Sequence, residues 1–226
     1  MEWDKERRSK QERKDSVKQY TDGKVAATER IVELLEGVIR PGDRVVLEGC
    51  NQKQAAFLAG ALAQVDPAKV HGLNMIIPSV SRDEHLDLFE KGIAEELNFA
   101  FAGVQSLRLA QMLAEEKLRI GAIHTYLELT PNVCLIAADR ADRNGNLYTG
   151  YNTEETPMLT EAAAFKNGIV IAQVNSIVEE DALPRVDIPG GWVDYIVKAG
   201  EPYPMEPLFT RDPAKIQDAH ILMGMM

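Results

Sequence analysis

Short, nearly continuous apolar runs recur along this chain, and they constrain its fold more than any other feature. RVVLEG (44–49), LNMIIP (73–78), NFAFAG (98–103), IGAIHTY (120–126), NVCLIAA (132–138) and GIVIAQVN (168–175) each read as a strand. None shows the clean alternation of a half-exposed strand, so they are expected to be buried on both faces, in a mostly parallel sheet between helices. The stretches between them carry helical spacing. From Lys24 the pattern reads helical, with Ile31, Leu34, Leu35 and Val38 forming one buried stripe. AAFLAGALAQV (55–65), DEHLDLFEKGI (83–93) and QSLRLAQMLAEEKL (105–118) follow, the last with Leu107, Ala110 and Leu113 or Ala114 on one face. This β-then-α rhythm predicts a doubly wound α/β fold with a mostly parallel sheet flanked by helices. In such folds ligands bind beyond the C-terminal ends of the strands.

The two ends of the chain look different. Residues 5–18 hold seven basic and three acidic side chains, which reads as a solvated helix or frayed tail, or as a basic arm for an acidic partner or phosphates. Residues 1–23 are therefore expected as an appendage, and 24–226 as one α/β domain. DPAKIQDAHILMGMM (212–226) opens like a helix, with Asp212 as N-cap and Pro213 in the first turn. Ile216, His220, Leu222, Met223 and Met226 give it an apolar face that runs off the end, so a second domain is expected to follow. Net charge is −10, which disfavours nucleic acid as a partner. No apolar run is long enough for a membrane span, and the charged start is no signal peptide, so a cytoplasmic protein is expected. Cys50 and Cys134 make neither a disulfide framework nor a zinc site, and Cys134 reads as a small buried hydrophobe.

The strand ends hold the candidate chemistry. After the first come Gly49, Cys50, Asn51, Gln52, Lys53 and Gln54, where Gly49 admits a ligand close to backbone, Asn51 is placed to cap the next helix, Gln52 and Gln54 offer amides and Lys53 a cation. The same residues also read as a plain N-capped helix with a polar first turn. Ser79, Ser81 and Arg82 follow the second strand; Ser81 reads best as a helix N-cap, with anion binding as the sharper alternative. Gly103 and Gln105 follow the third. His124 ends a strand beside Tyr126 and serves equally as a site residue or a structural histidine. His71, His85 and His220 have no ligand spacing, so no metal is expected. The absence of GxGxxG, Walker and GxSxG motifs argues against dinucleotides, nucleoside triphosphates and a serine hydrolase. In Ala138–Gly150, Asn144-Gly145 reads as a tight turn flanked by Asp142 and Asn146.

ADRNGNL (141–147) resembles the ADxxGNL segment in the N-terminal half of CoA-transferase family proteins. PGDRVVLEGCNQKQAAFLA, MIIPSVSRDEHLDLFEKGIA, GAIHTYLEL, ADRNGNLYTGYNTEETP, GIVIAQVN and LPRVDIPGGWVDYIVKA, in that order, are similar to the malonate decarboxylase alpha subunit. That family usually has Asn where Cys50 stands, is longer at the Leu129-Thr130 join, and is about twice the length of this chain.

The resemblance implies a CoA-transferase-like fold and an exchange: malonate plus acetyl-S-(acyl carrier protein) gives malonyl-S-(acyl carrier protein) plus acetate. The implied partners are the carrier protein, with its phosphoribosyl-dephospho-CoA arm, and decarboxylase subunits. No directly bound cofactor and no metal are implied. The oxyanion loop and active-site acid of such enzymes lie in the second half, so the catalytic residues are expected outside this chain. Gly49, Asn51, Gln52, Gln54, Ser79, Ser81, Gly103, Gln105, His124 and Asn146 are expected to gather at one sheet edge and to bind substrate or the thioester arm. The fragment alone is expected to be inactive and to self-associate. A citrate lyase alpha-like transferase and a non-enzymatic scaffold domain are the rival readings.

Overall fold

The computed structural model describes residues 2–49, 53–121, 130–200, 214 and 216–225. Its centre is a ten-stranded sheet: β1 (Thr21–Asp22), β2 (Val25–Ala26), β3 (Arg44–Leu47), β4 (Leu73–Ile76), β5 (Ala94–Asn98), β6 (Arg119–Ile120), β7 (Val133–Asp142), β8 (Leu147–Tyr148), β9 (Ile169–Val178) and β10 (Tyr195–Lys198). The order is β1-β2-β10-β9-β7-β3-β4-β5-β6, with β8 paired to β7. All pairs are parallel except the hairpins β1–β2 and β7–β8.

Burial on both faces of this sheet explains the continuous apolar runs. Successive residues of one strand enter opposite cores: Val45 and Leu47 pack on one side and Val46 on the other, as do Leu135 against Cys134 and Ile136. The first core is covered by α2 (Ile31–Val38), α3 (Ala56–Leu62), α4 (Asp83–Glu90) and α5 (Ser106–Ala114), through residues such as Leu34, Leu58, Leu86 and Leu109. The second is covered by α6 (Thr156–Phe165), through Leu159 and Ala163.

The sequence expectations shift in several places. The helix expected from Lys24 starts only at Ile31, because Val25 and Ala26 pair with β10. The strand expected at NFAFAG ends at Asn98, five residues earlier than Gly103, and beyond it only Phe101 bridges Ser79. In α5 the buried pair is Leu109 and Met112, while Leu107 is exposed, so the face is rotated from the one expected.

The N-terminal arm, expected as an appendage, is the helix α1 (Glu2–Asp15), fixed to the body by charge. Arg13, itself buried, forms a two-pronged bond to the buried Asp43 carboxylate and donates to Val38 O at 2.9 Å. Lys10 and Lys14 both reach the Asp194 carboxylate, at 2.8 and 3.0 Å. Val17 then enters the first core fully buried. The acidic partner of the basic arm is the chain's own body.

At the other end, α7 (Asp218–Met225) is helical as expected, with Ile221, Leu222, Met223 and Met225 all more than half exposed. Asp212, Pro213 and Met226 lie outside the described residues. Among the described residues no helix is long and apolar enough to cross a membrane.

Candidate active site

Parallel pairing brings the C-terminal ends of β3, β4 and β5 side by side, and several predicted site residues follow them directly. Beyond Leu47 the chain leaves the sheet at Glu48 and Gly49 and returns at Gln54, which bridges Gly49 in antiparallel fashion. Beyond β4, the Ser79 amide donates to Gly49 O at 3.0 Å and Val80 N to Phe101 O at 2.8 Å. Gln54 Nε2 donates to Ser81 Oγ at 2.6 Å. Gln105 Nε2 donates to Asp83 Oδ1 at 2.9 Å, and Ser106 Oγ to Gly103 O at 2.6 Å. Gly49, Gln54, Ser79 and Ser81 therefore form one bonded cluster, with Gly103 and Gln105 joined to it through Phe101 and Asp83.

Asn146 is placed elsewhere. β7 continues seven residues past Leu135, the partner of Leu47, so it carries its end about 23 Å along the strand direction. There Asn146 closes the turn, donating from its amide to Asp142 Oδ1 at 2.9 Å and from Nδ2 to Asp142 Oδ2 at 2.7 Å. Its Oδ1 accepts from Gly190 N at 2.8 Å. Gly145 supplies the positive φ of +85° that the turn requires. Every polar atom of the Asn146 side chain thus has a structural partner. Asn51, Gln52 and His124 lie outside the described residues, as does Cys50.

α3 starts at Ala56 behind Ala55, and α4 at Asp83 behind Arg82, in each case without a side-chain cap bond. The expected Ser81 cap is therefore absent, and the Ser81 hydroxyl accepts from Gln54 instead.

Lys53 is the clearest departure. Expected as a cation for ligand, it is 0% exposed and pairs with Glu48, 1% exposed, at 3.1 Å. Lys53 also donates to Thr153 O at 3.3 Å and to Thr156 Oγ1, Thr156 Oγ1 bonds Glu48 Oε1, and Glu48 Oε2 accepts from Ala137 N at 2.7 Å. Close by, Cys134 is fully buried and its thiol is held well above the usual range, first by burial and then by Glu48, so it stays protonated. Burial also raises the Glu155 carboxyl, with Glu48 and Glu154 adding to it against a backbone bond that lowers it.

His85, set aside at the sequence level for want of ligand spacing, lies against the cluster. A Cβ on Gly49 would stand 3.2 Å from its Cε1 and 3.3 Å from Ser79 O. The ring is 1% exposed, and its pKa is lowered to about 4, first by burial and then by Arg82, against a backbone bond with Ser79 that raises it. Among the described residues its Nδ1, Gln54 Oε1 and Ser79 Oγ are buried without a hydrogen-bond partner. Arg82 Nε, also without a hydrogen bond, faces Glu84 at 3.4 Å as an ion pair. Its helical position placed His85 on the buried face of α4, in the first turn of that helix. No spacing rule for metal ligands would have selected it.

The side chains of Gln54, Ser79, Ser81 and His85 are thus neutral amides, hydroxyls and an uncharged imidazole, with the buried Lys53 neutralised by Glu48 and Arg82 beside them paired with Glu84. Such a surface suits a polar, uncharged segment of a ligand rather than a free anion. Among the described residues no group of three or more His, Cys, Asp or Glu side chains is arranged for a metal.

The sequence model of a family described as "Malonate decarboxylase, alpha subunit, transporter" matches residues 2–226. The chain belongs to the malonate decarboxylase alpha subunit family. An acetyl-S-ACP:malonate ACP transferase of Malonomonas rubra is 51% identical over 233 residues, which cover 99% of this chain and 42% of that protein. The alpha-subunit fold matches a solved Pseudomonas malonate decarboxylase hetero-tetramer in complex with malonate, with TM-score 0.88 and 56% identity over 99% of this chain and 42% of that one. Glutaconate coenzyme A-transferase from Acidaminococcus fermentans, at 13% identity and TM-score 0.63, covers 81% of this chain and 77% of its own and shows the CoA-transferase-type fold alone. The chain thus spans less than half the length of the alpha-subunit relatives it matches.

Proposed function

We propose that this chain is one wall of a transferase that exchanges acetyl for malonyl on the thioester of an acyl carrier protein, as part of malonate decarboxylase in the cytoplasm. The observation that carries this reading is the 51% identity to an acetyl-S-ACP:malonate ACP transferase across 99% of the chain. A malonate carboxylate oxygen bonds to the acetyl carbonyl carbon, the C–S bond breaks, and the carrier thiolate leaves. The thiolate then attacks the malonyl carbonyl of the anhydride-like species, and acetate departs. Balanced this way, the exchange calls for donors at the developing oxyanion and for an oriented thioester. The neutral strand-end cluster around Gly49, Gln54, Ser79 and Ser81 suits the second task, lying along the carrier's phosphoribosyl-dephospho-CoA arm. The oxyanion donors and the acid come from the rest of the subunit, and other subunits decarboxylate the product.

The test is isotopic exchange between labelled malonate and acetyl-S-carrier with the full-length subunit. Label entering the carrier from malonate supports the reading; uptake from citrate instead favours a citrate lyase alpha-like transferase, and none at all a scaffold. The 226-residue chain alone is expected to show no exchange and to self-associate through α7, whose apolar residues stand exposed.

A further inference from the structure

The fully buried Glu48–Lys53 pair occupies a place where a core has no need of charge. Removing two ions from water costs several kcal/mol each, and apolar residues of similar volume commonly serve stability as well. Its geometry indicates another use. Glu48 and Lys53 stand at the two ends of the loop that leaves β3, Glu48 one residue outside the Gly49–Gln54 bridge and Lys53 one residue inside it. Each stem is tied to a different element: Glu48 to the Ala137 amide of β7, and Lys53 to Thr153 O and Thr156 Oγ1 at the start of α6. Thr156 Oγ1 also bonds Glu48, closing a ring across all three elements.

The residue after Lys53 is Gln54, whose backbone carbonyl accepts from the buried Gln173 at 3.4 Å and whose side chain holds Ser81. A shift of the stem therefore passes directly to Gln54 and Ser81. The neighbouring end of β4 is held differently, by the backbone bridge of Ser79 to Phe101.

We propose that Glu48, Lys53 and Thr156 are positioning residues that lock the β3 loop stem and thereby aim Gln54 and Ser81 at the ligand. The proposal rests on the transferase reading. It separates from stability because the pair can be replaced as a unit.

In the complete subunit, the double variant Glu48→Leu/Lys53→Met is expected to keep its Tm while kcat falls about tenfold or more, with KM for malonate little changed, since misorientation weakens the transition state more than ground-state binding. Thr156→Val, which removes only the hydroxyl link, is expected to lower kcat several-fold at unchanged Tm, and Thr156→Ser to restore it. Should the double variant fail to fold, Thr156→Val decides. Wild-type kcat in a folded double variant or in Thr156→Val overturns the proposal, as does a loss of Tm in Thr156→Val that tracks its loss of activity. An inactive wild-type subunit sinks the transferase reading instead. In that event faster amide hydrogen exchange at Gln54 and Ser81 in Thr156→Val still supports the lock, and unchanged exchange removes it.

Discussion

Two buried polar clusters flank Gly49, and they are built on opposite principles. On one side Glu48, Lys53 and Thr156 are charged or strongly polar and joined to one another and to the backbone. On the other, His85, Ser79 and Gln54 are neutral and buried, and each retains an atom without a partner among the described residues. Removing one partner of a buried ion pair leaves an uncompensated charge, whereas an unpaired neutral group has already incurred its desolvation in the native state. The charged pair should therefore be fragile to the loss of either partner, and the neutral cluster tolerant of single substitutions.

The sharpest break is Glu48→Ala, which leaves the Lys53 ammonium buried beside a hole. It should cost about 3–5 kcal/mol by denaturant unfolding. A cost under about 1 kcal/mol would mean that Lys53 finds water, and the contrast between the clusters would vanish.

Acid acts on the neutral side. The folded His85 pKa, about 4, lies below the usual 6.5, so the unfolded chain takes up the proton first. Stability from this group is complete above about pH 6.5 and is lost as pH falls toward 4. Between pH 7 and pH 5 the loss should be about 2 kcal/mol, and His85→Gln should flatten that slope. A slope unchanged in His85→Gln would show that the ring carries its charge in the fold.

Gly49→Ala probes the seam between the clusters. The new methyl meets His85 Cε1 and Ser79 O at 3.2 and 3.3 Å, and the backbone oxygen cannot readily move away. A loss of about 1–2 kcal/mol is expected, partly recovered in a double-mutant cycle with His85→Ala. Additivity in that cycle would place the contact elsewhere.

The smallest effect belongs to Ser79→Ala. Its hydroxyl has no partner to lose among the described residues, so the change should stay within about 0.5 kcal/mol of neutral, or stabilise slightly. A loss above about 1 kcal/mol would reveal a bound water or ligand at Oγ.

The parallel architecture was legible because burial on both faces writes itself into the sequence, as in Val45-Val46-Leu47 and Val133 to Ala138. The turn at Asn144-Gly145 was legible for a local reason: the glycine φ and the Asp142 bonds all lie within five residues. The end of β5 was misplaced, since Phe99 and Phe101 carry strand propensity, but the regular ladder with β4 stops at Asn98 and Phe101 keeps only a bridge to Ser79. Among the site residues, Gly49, Gln54, Ser79 and Ser81 could be selected by their position after strands, while the role of Lys53 could not. A lysine between two glutamines reads as exposed, and its burial depends on Glu48 and on Thr156, which lies more than a hundred residues away.

The sequence by itself determined the alternation of strand and helix, the family, and the edge of the sheet where the polar residues collect, because each depends on local spacing or on the order of segments. Only the tertiary structure decided which polar groups remain available there. It consumed Asn146 in a turn at the far end of β7, Lys53 in an ion pair and the basic arm on Asp43 and Asp194, and it brought in His85. Hydrogen bonds and ion pairs are settled by what stands within about 3 Å, and across such separations in the chain only the folded backbone fixes that distance.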